Sequence, residues 1–310
     1  MKNEIFPWGV NVPYLIIAGI YFLAGGLSLF TGQSHGLLML LGAYSLYSGM
    51  IQRLFFPARK YIVPQLINMI LVCIPIPLAQ VLAYIALTIT AVWSVLDVSK
   101  YGAKYPINLL VLSSPILSVI FWTLFSAFGN YWLLIIPLMS YLFGVNVGVF
   151  TATLGVKPKY GLLQLPILAA VFSILLIHYV IVPVGIYFAW LFFNGVKRFN
   201  LSAAVTVFTG GFTSLLSVFT GMEIHAFALG VMLPFFYSCI TYSLSRYNYD
   251  YEYVIPLLLM ISYFIRMFLL IPSGIATAVG IILFYYLNID NFSLFTLRNG
   301  LSKKFLSGNA

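Results

Sequence analysis

The chain has three histidines, and two of them open similar apolar runs. His35 begins the string His35-Gly36-Leu37-Leu38-Met39, in a run that ends before Arg53. His225 sits in Glu223-Ile224-His225-Ala226-Phe227-Ala228, in a run that ends before Arg246. A basic turn follows each run. A matching start comes next, Tyr61-Ile62-Val63-Pro64 in one case and Tyr253-Val254-Ile255-Pro256 in the other. Neutral imidazole is a standard axial ligand for haem iron, and two imidazoles leave no open coordination position. Such an iron passes electrons and does not readily bind oxygen. His35 and His225 are therefore expected to hold one haem, of the b type, for electron transfer. A plainer reading stands beside this for each residue alone: an interfacial histidine that caps a helix or meets water.

Arg266 is the third candidate. It lies late in an apolar run that begins near Tyr253, so it is expected close to the depth of the two histidines. An Arg fork binds a carboxylate bidentately, and haem propionates are carboxylates. Equally, Arg266 could snorkel to the interface or pair with Glu223. His178 has no counterpart at the matching turns and reads as a solvated turn residue. Cys73 and Cys239 fall in apolar runs and read as buried small hydrophobes. The sequence has no His-His pair, no Cys-x-x-Cys-His and no carboxylate cluster inside an apolar run, so no copper, covalent haem or carboxylate proton relay is expected.

These residues must be positioned by membrane helices. Of 310 residues, 62% are apolar and only 7% charged, which leaves no room for a soluble domain of useful size. The apolar runs are continuous rather than alternating, so helices rather than a barrel satisfy the backbone in lipid. The surplus of Lys and Arg lies in short loops, where it sets orientation and does not signal nucleic acid. The start, Met1-Lys2-Asn3-Glu4, lacks a cleavage pattern, so the first span is expected to be retained.

The runs divide into about twelve transmembrane helices in three pseudo-repeated units of four, over residues 13–96, 106–196 and 201–288, within one integral membrane domain. Spans are expected over 13–31 and 35–52, then a double crossing over 61–96 that turns at Pro75 and Pro77. The second unit has spans over 106–126 and 131–154, then a double crossing over 161–196 near His178 and Pro183. The third has spans over 201–220 and 224–244, then a double crossing over 253–288 that turns at Pro272-Ser273-Gly274. Alternating tyrosines from Tyr247 to Tyr253 suit a headgroup belt. With both termini cytoplasmic, every Lys and Arg except Arg266 falls on the inner side of the cell membrane.

Three arcs of four helices resemble the catalytic subunit of haem-copper oxidases and small relatives such as the NnrS-type membrane haem proteins. In that family the second and tenth helices carry the axial ligands of the low-spin haem. His35 and His225 open the second and tenth helices here, and His35-Gly36-Leu37-Leu38-Met39 looks like that family's second-helix motif. Basic residues near the outer end of the eleventh helix hold the propionates in the family, and Arg266 matches by position. The chain departs at the sixth helix, where only Asn130 or Tyr131 lies near the family's histidine. It also lacks the seventh-helix histidine pair and the second histidine of the tenth helix. The resemblance thus implies a copper-free relative that keeps the electron-transfer haem. Size, composition and topology are also similar to the membrane subunits of archaeal cytochrome b558/566 complexes, which implies an extracellular cytochrome subunit as partner.

The expected function is a membrane subunit of a respiratory b-type cytochrome, an electron-transfer component rather than a catalyst in itself. It would carry electrons through a haem near the outer face, with a quinol as a possible second redox partner. Two alternatives remain: a multi-pass transporter of a neutral substrate, since internal repeats and broken helices are typical of transporters, and a haem-free membrane anchor for an extracellular cytochrome.

Overall fold

Proline decides where the apolar runs break, and it does so mostly by opening helices. A proline in the first turn costs nothing there, because those N–H groups have no partner within the helix. The computed structural model describes residues 7–31, 34–98 and 108–307. Met1-Lys2-Asn3-Glu4, Lys100, Lys104 and Pro106 lie outside the described residues.

The chain is an all-helical membrane protein. The helices are α1 (Asn11–Thr31), α2 (His35–Phe55), α3 (Ile62–Val72), α4 (Pro77–Val98), α5 (Leu109–Phe128), α6 (Tyr131–Leu154), α7 (Leu165–Ile177), α8 (Ile181–Phe192) and α9 (Leu201–Thr220). A continuous run then covers α10 (Glu223–His225), a π-helical segment (Ala226–Met232) and α11 (Leu233–Leu244). The chain closes with α12 (Val254–Arg266), α13 (Leu270–Leu287), α14 (Leu294–Asn299) and α15 (Lys303–Leu306).

Among the described residues, seven helices are long and apolar enough to cross a membrane. Twelve spans were expected. The main difference is in the double crossings. There α3, α7, α8 and α12 have only 11, 13, 12 and 13 residues. At about 1.5 Å per residue each reaches roughly 17–20 Å, short of a hydrocarbon core about 30 Å thick.

The turns fall as expected in two hairpins and not in the third. Pro77 is the first residue of α4, and His178 ends α7 in a left-handed conformation with φ 55°. The last turn, however, lies at Met267–Leu269, not at Pro272-Ser273-Gly274. Pro272 sits in the first turn of α13, where it continues the helix.

The helices group into two compact units. The first holds α1 to α4, most of α5, the start of α6, and α14 with α15. In it α1 lies so close to α2 that a Cβ on Gly49 would stand 2.6 Å from Tyr14, and one on Gly42 2.5 Å from Phe22. Small residues at such crossings allow close backbone approach in lipid. A buried polar chain ties α1, α2, α3 and α4 together. Tyr14 donates to Asn68 Oδ1 at 2.5 Å, Gln52 donates to the Tyr14 hydroxyl at 2.9 Å, and Asn68 donates to the Ala83 carbonyl at 2.7 Å. Beside it Tyr44, Tyr84 and Trp122 pack as a fully buried aromatic cluster. At the end of this unit Lys60 pairs with Asp97, which also accepts from the Tyr61 hydroxyl at 3.0 Å.

The second unit holds α7 to α13 with most of α6. Its α9 carries a buried hydroxyl face, Ser202, Thr206, Thr209, Thr213 and Ser217. This face meets the π-helical segment, where Gly230 leaves room for Thr213, and it reaches the Pro256 carbonyl of α12 through Thr209 at 3.3 Å. Ser202, Thr206, Thr209 and Thr213 each donate to a carbonyl, since polar groups in a lipid-embedded bundle must find partners. Elsewhere in the unit Phe143 and Tyr187 stack with ring centres 4.2 Å apart.

Candidate functional site

α2 starts at His35 itself. Ser34 precedes it in the left-handed region, with φ 44°, and makes no side-chain cap. The imidazole reaches across to α1, where Nδ1 lies 2.7 Å from the carbonyl oxygen of Gly25. A carbonyl can only accept, so Nδ1 carries a proton, and the lone pair of a neutral imidazole here would lie on Nε2. Ser28 donates to the same carbonyl at 2.7 Å. An imidazole whose one nitrogen is tied to a carbonyl offers the other in a fixed tautomer and orientation, which is how metal-ligating histidines are commonly held. The side chain of Met39, one turn on, packs against Gly25, and the Tyr131 ring lies near Gly36. Asn130 caps the start of α6 by accepting from the Trp132 N–H at 3.0 Å.

His225 ends the single turn of α10 and is half-buried. The next seven residues form the π-helical segment. Its cause lies in the sequence that follows. Pro234 has no N–H to give and its ring crowds the carbonyl four residues back, so the helix widens before it. Such wide turns inside helices are frequent at functional sites.

Glu223 is held by two neighbours. Its Oε2 accepts from the Val180 N–H at 2.9 Å and from the Ser217 hydroxyl at 2.7 Å. It therefore joins the α7–α8 turn to the end of α9, at the start of the helix that carries His225. It makes no ion pair with Arg266 among the described residues, so that expected alternative falls away. Arg266 is the last residue of α12 and half-buried. One turn earlier the Tyr263 hydroxyl meets that of Thr220 at 3.0 Å, which sets the end of α12 beside the turn leading into His225.

His35 thus belongs to the first unit, and His225 and Arg266 to the second. His178 is an exposed turn residue of the second unit. Cys73 is exposed and Cys239 buried, and neither forms a disulfide. Among the described residues no three of His, Cys, Asp and Glu gather at one place.

One group escaped the sequence reading. Glu252 lies in a stretch read as a headgroup belt of tyrosines, yet it is fully buried. No protein-family model matches the chain, and no curated protein and no solved structure matches it either.

Proposed function

We propose that this chain is the membrane subunit of a respiratory b-type cytochrome, with His35 and His225 as axial ligands of a haem and Arg266 as a partner for its propionates. The observation that carries this reading is the bond from His35 Nδ1 to the Gly25 carbonyl at 2.7 Å. It orients the imidazole from α1 and, in the neutral ring, leaves Nε2 for a metal, as a haem ligand requires. The wide turns after His225 and the absence of a carboxylate partner for Arg266 among the described residues support it further. The haem would supply one-electron transfer. The protein's part is to fix two neutral imidazoles and to balance carboxylate charge with a guanidinium.

In this reading the chain crosses the cell membrane about twelve times in three four-helix units, the short hairpin helices included, with both termini cytoplasmic. The haem then sits near the outer face, within reach of an extracellular cytochrome subunit, and a quinol is a candidate for the other redox partner. The family implied is that of the copper-free relatives of the haem-copper oxidase subunit, among them the membrane subunits of archaeal cytochrome b558/566 complexes.

The test is a reduced-minus-oxidised spectrum of the detergent-solubilised chain. A b-type difference band is expected, and it should vanish in His35→Ala and in His225→Ala. A band that persists in both variants, or a colourless wild-type chain purified from haem-replete cells, overturns the reading.

A specific observation favours one second reading. The short helices α3, α7, α8 and α12, together with the π-helical segment, are the interrupted elements from which carriers build their binding sites. A carrier of a neutral solute would show flux in vesicles reconstituted with the colourless chain.

A further inference from the structure

Between the end of α11 and the start of α12 the chain buries a carboxyl. Glu252 has no exposed surface, and neither of its oxygens accepts a hydrogen bond among the described residues. No cation among the described residues pairs with it. The α9 hydroxyls on this side have spent their protons elsewhere. Thr206, on α9, faces the carboxyl and only partly offsets the effect of its burial. Its hydroxyl donates to the Ser202 carbonyl at 2.8 Å. The Ser202 hydroxyl donates to the Tyr249 carbonyl at 2.6 Å and accepts from the Tyr253 N–H at 3.0 Å. The Tyr249 and Ser238 hydroxyls bond each other at 2.9 Å.

Thr206 therefore offers Glu252 a lone pair and not a proton. An ionised carboxylate would face an acceptor in a buried site with no cation among the described residues. A carboxylic acid removes that conflict. Buried acids without a charge partner neutralise in this way rather than stay charged.

The other titratable groups nearby do not change the sign. Tyr249 faces the carboxyl from the preceding turn, and burial raises its own hydroxyl well above the usual range. Cys239 and Tyr242 stand beyond it on α11. Arg246 lies over the Tyr242 ring, 4.8 Å from its centre. Asp250 accepts from Asn200 at 3.1 Å in an exposed bond. For Glu252 itself, burial drives the carboxyl well above the ordinary range.

We propose that Glu252 is a proton-binding site: a carboxylic acid that stays neutral at pH 7, buried against α9 at the α11–α12 turn of the second unit. The ligand is a proton taken from water at that face. The site is independent of any haem and stands whether or not the chain carries one.

Infrared spectroscopy tests it on the intact chain, in a detergent without ester groups. The chain has six acidic side chains, so the background is small. Wild type at pH 7 is expected to show the carbonyl stretch of a protonated carboxylic acid, and E252Q to lack it. Thermal unfolding supplies a second readout. The native state binds one proton more than the unfolded chain above the ordinary carboxyl range. Wild type should therefore lose about a factor of ten in folding equilibrium per pH unit relative to E252Q, from roughly pH 4.5 upward. Equal melting near pH 4 and a gap in favour of E252Q that widens toward pH 8 is the expected pattern. No band difference together with parallel pH curves would overturn the proposal. So would stabilisation by sodium or potassium at constant ionic strength in wild type but not in E252Q, because the ligand would then be a metal cation.

Discussion

His35 Nδ1 lies 2.7 Å from the carbonyl oxygen of Gly25, so α1 decides which nitrogen of the imidazole is left for a ligand. A Cβ at Gly25 would stand 2.9 Å from Met39 Sδ, a flexible group one turn along α2 from His35. Gly25→Ala should therefore crowd the α1–α2 contact at the point where His35 is held. Partners of this kind typically matter by about 10–100-fold in metal affinity. If His35 holds a haem as proposed, the expected outcome is weaker haem retention in Gly25→Ala, measured by haem transfer to an apo-globin acceptor, with partial recovery in Gly25→Ala/Met39→Ala. Unchanged retention in the single variant would show that the Gly25 carbonyl does not orient the ligand.

Glu223 makes a separate prediction, about stability rather than cofactor. Its carboxylate satisfies Val180 N–H and Ser217 in a buried place. Glu223→Ala leaves both donors without this partner, at a cost of about 1–3 kcal/mol for a buried unsatisfied group. Glu223→Gln keeps an amide oxygen that can accept both bonds, so it should fall between wild type and Glu223→Ala in melting temperature. Equal melting of all three proteins would remove Glu223 from its place as a tie between the α7–α8 turn and α9.

Pro272 shows how the sequence misleads at one turn. Proline with serine and glycine reads as a break, and the hairpin was expected to turn there. Yet those residues lie in the first turns of α13, and the chain reverses at Met267–Leu269, a stretch with no turn residue at all. Pro272→Ala should therefore change stability by less than about 0.5 kcal/mol, as surface-type substitutions away from special geometry do. A large loss of melting temperature would mean that the proline is needed for the reversal.

Most helix boundaries were legible because lipid leaves the backbone few choices. Residues 131–154 and 201–220 begin and end as expected, since Gly or Asn stands at their ends and no charge interrupts them. His35 was legible as a helix opener because Ser-His-Gly follows a short polar gap. The π-helical segment was not: Gly230 and Pro234 stand in the sequence, but the Thr213 side chain that packs at Gly230 comes from another helix. Glu252 was hidden for a related reason. A glutamate among alternating tyrosines looks solvated until the partner face of α9 is known. In general the positions of single helices can be read along the chain, whereas the polar groups they bury depend on pairing between distant segments.

The polar chain in the first unit allows a graded test of that pairing. Asn68 accepts from Tyr14 at 2.5 Å and from Gln52 at 3.0 Å, and donates to Ala83 at 2.7 Å. Gln52 only donates within the chain, to Tyr14, Asn68 and the Ser48 carbonyl. Gln52→Leu leaves the Tyr14–Asn68 bond intact, and Tyr14 also reaches the Gln65 carbonyl at 3.1 Å. It should cost no more than about 1 kcal/mol, in line with side-chain bonds between membrane helices. Asn68→Leu removes the shared acceptor of Tyr14 and Gln52 and frees the Ala83 carbonyl, so about 1–3 kcal/mol is expected. The double variant separates sum from network. If Asn68 is the hub, Gln52→Leu should cost less in the Asn68→Leu background than in wild type, because the bond between the two amides is already gone. Additive losses in a thermal or denaturant series would show instead that the two amides act independently.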